Sequence, residues 1–90
     1  MVRPPLTEAD RERGRMLGSA LRTARGGRSP IEVALACDIS VETLRKIETG
    51  RIPTPAFGTV VTLARALGIP LDDLADLVAT EPPARLVRPA

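Results

Sequence analysis

Two short runs patterned for helix stand almost end to end in this chain, from Pro30 to Cys37 and from Val41 to Thr49, with about three residues between them. Each run has its own start signal. Ser29 is placed to accept from the backbone as N-cap, Pro30 fits the first helical position, and Glu32 completes a capping box. Ser40 caps the second run, and Glu42 in its first turn complements the positive end of the helix dipole. Asp38 falls in the link, where a short polar side chain tolerates a left-handed backbone. So brief a link forces a sharp crossing of the two helices. Val33, Cys37, Ile39, Leu44 and Ile47 are spaced to share one core, and Ala34 is small enough to let the helices approach.

The remainder supplies further helices around this pair. Thr7, with Asp10 three residues on, predicts a helix from Glu8 to about Arg25, ended by Gly26 and Gly27. Gly14 and Gly18 weaken it by up to about 1 kcal/mol each if exposed. Arg51 to Pro55 reads as a loop. Thr54 then caps, and Pro55 starts, a fourth helix running to Leu67 before Gly68, and a fifth covers about Leu71 to Ala79. The expected fold is all-α, a compact five-helix domain over 7–79, with a flexible arm over 1–6 and a flexible tail over 80–90. Aromatic residues make up 1% of the chain, so the core must be aliphatic.

Residues from about Leu17 to Leu77 resemble the Cro/cI-type (XRE-type) helix-turn-helix family. The matching segments are Leu17-Gly18, Leu21-Arg22 with Arg25, Glu32-Val33-Ala34, Ile39-Ser40, Leu44-Arg45-Lys46-Ile47-Glu48 with Gly50, Leu63 to Ile69, and Leu71-Asp72-Asp73-Leu74. The resemblance implies a phage-repressor-like domain whose third helix, about 41–49, enters the major groove of double-stranded DNA. It implies Val41, Glu42 and Lys46 as base readers, with Thr43 and Arg45 adjacent. Lys46 is suited to guanine O6/N7, Glu42 to cytosine N4 and Val41 to a thymine methyl. The plainer readings are helix-dipole support for Glu42, solvated surface for Lys46 and an ordinary exposed apolar residue for Val41.

Phosphate contacts are expected from Ser29 and the free amides of Ile31 and Glu32, and from Ser40, Thr49, Arg51 and Thr54. Glu48 matches a family acid that pairs with a first-helix arginine. Arg25 is the first choice of partner and Arg22 the second. That pair either aims Arg25 at a phosphate or simply joins two helices. Pro30 stands where the family usually carries glutamine, so one contact is lost or moved, and Asp38 replaces a usual turn glycine.

Charge gives modest support. Residues 1–51 hold ten Lys/Arg against seven Asp/Glu, or +3, and residues 52–90 hold three against four, or −1. The small excess argues against a non-specific nucleoid component, which must neutralise many phosphates. The chain has no His and one Cys, so catalysis, a cysteine-based zinc site and an internal disulfide are not expected, nor any cofactor or metal. Asp72, Asp73 and Asp76 read as dipole support rather than a cation site. Cys37 reads as a buried thiol rather than a redox switch. With no signal peptide or membrane span in view, a cytoplasmic location is expected.

The expected function is a sequence-specific transcriptional regulator and not an enzyme, working as a homodimer on a pseudo-palindromic operator. The alternative is an antitoxin-like or other interaction module that binds a second protein. Leu35, at a position usually exposed, and the C-terminal tail support that alternative. Phe57 is either core or part of an apolar patch with Val60, Val61 and the fifth helix, a region through which family members commonly dimerise.

Overall fold

A computed structural model describes residues 5–79, which form five α-helices and, among the described residues, no strand. The tail over 80–90 and the first four residues of the arm lie outside the described residues. Helix α1 spans Glu8–Arg25. Its capping box is complete: Thr7 Oγ1 accepts from the Asp10 amide, and Asp10 Oδ2 accepts from the Thr7 amide, both at 3.0 Å. Gly26, at φ 59°, turns the chain out of the helix.

Helix α2 spans Pro30–Ala36 and helix α3 spans Val41–Glu48. Cys37 and Thr49 cap their C-terminal ends, so each helix is one residue shorter than its sequence pattern. Asp38 takes φ 58° between them, and the Ile39 amide donates back to the Ala34 carbonyl at 3.0 Å. That bond closes the turn and sends the chain across α2. Only half of the expected α2 box forms. Ser29 Oγ accepts from the Ile31 and Glu32 amides, and the return bond to Glu32 is not made.

Helix α4 spans Phe57–Leu67 and begins two residues later than Thr54 and Pro55 predict. Ala56 stands at its N-cap without a side-chain bond. The delay has a packing cause. Pro53 lies against the Gly14 face of α1, where a Cβ on Gly14 would come within 2.5 Å of the Pro53 Cβ. The chain remains irregular through Ala56 after passing this contact. Helix α5 spans Leu71–Val78.

Helix α1 packs against α3, α4 and α5, while α2 packs against α3. Leu21, Leu44, Ile47 and Leu63 are the largest fully buried side chains. Burial of each is worth about 1.5–3 kcal/mol. Val33, Ala34 and Cys37 complete the α2 side of this core, and Ile39 is only half-buried against it. Burial pushes the Cys37 thiol above its ordinary pKa, which keeps it protonated and slow to react.

Gly14 and Gly18 are buried, and they are not the exposed weak points that their place in a helix suggests. A Cβ on Gly18 would press into the Ile47 carbonyl oxygen and lie 2.6 Å from that of Glu48. The backbone of α1 thus touches the last turn of α3 directly.

Candidate nucleic-acid interface

Burial of Leu44 and Ile47 fixes which side of α3 faces outward. At about 100° per residue, Glu42, Arg45, Lys46 and Thr49 fall within an outward arc of about 100°, with Val41 and Thr43 on its flanks. A shallow depression runs over this arc, lined by Val41, Glu42, Arg45, Lys46, Thr49 and Arg51. Three cations and one anion therefore border it, a local charge of +2 by that count.

The anion is partnered. Lys46 Nζ lies 3.5 Å from Glu42 Oε2, one helical turn away. Arg45 and Arg51 are exposed and pair with no carboxylate among the described residues. Val41 is half-buried and packs against the core, so only its outer part is available for a methyl contact.

The hydroxyls on α3 are largely engaged within the protein. Ser40 Oγ donates to Thr43 Oγ1 at 2.9 Å and accepts from the Thr43 amide at 3.0 Å. The proton left to donate outward is that of Thr43. Thr49 Oγ1 donates to the Arg45 carbonyl at 2.9 Å, so donating to a phosphate requires that bond to be given up.

The start of α2 differs from expectation. The Ile31 and Glu32 amides are not free, because Ser29 Oγ accepts from them at 3.2 and 3.4 Å. A single oxygen cannot cap these amides and leave them open to an anion. The Ser29 hydroxyl proton is the group that remains. Thr54 is also displaced from the expected set. It lines a second groove with Asp10, Phe57 and Leu71, apart from the depression over α3.

Arg25 and Glu48 tie α3 to the body of the domain. Arg25 Nε and Nη2 donate to Glu48 Oε2 and Oε1 at 2.8 and 3.1 Å. Arg25 Nη1 also donates to the Arg28 carbonyl at 2.8 Å. The two side chains are only 13% and 6% exposed. The bond to Glu48 raises the Arg25 pKa against the opposing effect of burial. Such a pair contributes geometry more than net stability, since desolvation offsets much of the attraction. Here the geometry is the angle at which α3 leaves α1. Arg22 takes no part in this bond.

Two contacts have no counterpart in the sequence reading. Arg28 Nη1 donates to the Ala66 carbonyl at 3.1 Å, at the C-terminal end of α4. Its only sequence signal is a cation suited to some helix C-terminus. The close approach of Gly18 to α3 is the other, and its signal is a small residue on the buried face of α1.

Among the described residues, no group of three or more metal-ligating side chains stands together, and no helix is long and apolar enough to cross a membrane. A family model described as a helix-turn-helix domain matches residues 16–77. No curated protein matches the chain.

Proposed function

We propose, because the chain belongs to the helix-turn-helix domain family, that it is a sequence-specific DNA-binding transcriptional regulator. The observation that carries this reading is the outward arc of α3, where Arg45, Lys46 and Glu42 project from a helix braced by Gly18 and Arg25. Exposed donors and an acceptor on a rigid helix are what base edges in a major groove require. Val41 and Thr43 flank the same arc. Arg51 holds a phosphate at one end, and the Ser29 hydroxyl holds another at the start of α2. The Arg25–Glu48 pair acts by orienting α3.

A homodimer on a two-fold symmetric operator is part of this proposal. The groove between α1, α4 and α5 supports it. Its volume is about 600 Å³, and Phe57 on its wall is 75% exposed. A lone exposed aromatic beside an apolar groove of this size suits mutual insertion by two copies. The setting is cytoplasmic DNA, and neither an enzymatic reaction nor a cofactor is involved.

One observation favours a second reading, an interaction module that binds another protein. Ile31 and Leu35 are 58% and 76% exposed, one turn apart on α2. Selection from a pool of random duplex DNA at near-physiological salt separates the two. Enrichment of a two-fold symmetric motif, with half-sites about one helical turn apart, supports the dimeric regulator. Retention without any enriched motif rejects sequence-specific reading by this chain alone.

A further inference from the structure

We infer that Glu42 is a specificity-determining positioning residue, which holds the Lys46 ammonium away from the DNA backbone until a cytosine amino group replaces it as the partner of Glu42. The inference rests on the reading of α3 as the groove-entering helix. Of the three cations bordering the depression over α3, Lys46 is the one held by a carboxylate, at 3.5 Å. Glu42 is 76% exposed, on the side of α3 that DNA approaches, whereas Lys46 is 39% exposed.

A duplex backbone presents acceptors only. Facing it, Glu42 gains no hydrogen bond and is repelled, and its only partner remains Lys46. Lys46 then contributes little to binding at arbitrary sequence. A C·G pair offers a different exchange. Cytosine N4 donates to a carboxylate, and guanine O6 and N7 accept from an ammonium. Both halves of the ion pair find partners there, so the exposed pair, weak in water, opens at little cost. The effect at other sequences is a penalty, and discrimination arises from that penalty as much as from the new hydrogen bonds to the C·G pair.

The test measures binding to a random-sequence duplex across a salt series for the wild type, Glu42→Gln, Lys46→Ala and the double variant, with each fold checked by circular dichroism. Lys46→Met replaces the alanine variant should that one melt early. Freeing one ammonium should steepen the salt slope of Glu42→Gln by about 0.9 and tighten its random-duplex binding roughly eightfold at 0.1 M salt. In the Lys46→Ala background less than half of that gain, on a logarithmic scale, should survive. No gain, or a gain of which half or more survives without Lys46, overturns the inference. The selected wild-type motif should also contain a cytosine that Glu42→Gln no longer requires. A motif whose base preferences are unchanged by Glu42→Gln overturns the exchange. A wild type that selects no motif rejects the regulator reading, while the random-duplex measurements still decide the role of Glu42.

Discussion

Replacing Gly18 by alanine sets two opposed effects against each other, and the contact geometry decides between them. Alanine in a helix gains about 1 kcal/mol over glycine when nothing obstructs it. At Gly18 the added methyl would meet two backbone carbonyl oxygens, those of Ile47 and Glu48, the latter at 2.6 Å. Ordinary contact of a Cβ begins near 3.4 Å, and a backbone carbonyl cannot swing aside as a side chain can. Relief requires α1 and α3 to separate by roughly 0.5–1 Å, which loosens the core cluster to which Leu21, Leu44 and Ile47 belong. Overpacking of this kind costs about 1–3 kcal/mol, and two rigid obstacles place it near the upper end. The expected net loss is about 2 kcal/mol, or about 8–16 °C in Tm for a domain of this size. With no Trp and no Tyr in the chain, far-UV circular dichroism is the suitable assay. Gly58→Ala is the internal control. It lies in α4, where an added methyl would find nothing within 4 Å, so it should gain about 0.5 kcal/mol. Equal or parallel shifts for the two variants would refute the argument that α1 and α3 meet through backbone.

Three further predictions test the interface and its support. Lys46→Ala should change which bases are preferred, whereas Arg51→Ala should weaken all sequences alike and reduce the salt slope by about one; equal, sequence-independent losses would remove Lys46 from the base-reading set. Glu48→Ala leaves the Arg25 guanidinium nearly buried without its carboxylate and should cost about 3 kcal/mol in urea unfolding, while an Arg25→Met, Glu48→Met double variant should lose less than either single removal. The Asp10 carboxyl is held below its ordinary pKa, first by the hydrogen bond from the Thr7 amide, then by the Thr7 hydroxyl, and by the nearby Arg13 guanidinium. A lowered folded-state pKa stabilises fully above the unfolded value, near pH 4, and that stabilisation is lost as pH falls through the folded value. The stability difference between wild type and Asp10→Asn should therefore be constant at neutral pH and shrink in acid; a pH-independent difference in thermal melts would contradict the capping role.

The central helix pair is legible in the sequence because local signals and burial agree there. Ser29, Ser40 and Asp38 mark its boundaries, and Val33, Cys37, Leu44 and Ile47 are spaced for a single core. The start of α4 is not legible, because Thr54-Pro55 is a sound local start signal that the passage of Pro53 over Gly14 overrides. Gly14 and Gly18 mislead for the same reason: helix propensity is a property of one helix, and their role emerges only when α3 and Pro53 are in place. Glu48 can be matched to a first-helix arginine through resemblance, but its distances to Arg25 depend on how α1 and α3 cross. In sequence the hydroxyls read as available groups, whereas Ser29, Ser40 and Thr49 are partly spent on nearby backbone amides and carbonyls.

Helix α1 borders both the apolar groove and α3. Asp10 and Arg13 wall the apolar groove near one end, and Gly18 and Arg25 meet α3 toward the other. At about 1.5 Å per residue, the span from Asp10 to Arg25 is roughly 22 Å. A tilt of about 5° about the groove end displaces the Arg25 end by roughly 2 Å, several times the ~0.5 Å within which a recognition contact must be held. By its length α1 has the dimensions of a lever arm: under the proposed function, a small tilt at the groove would be magnified at the end where α1 meets α3.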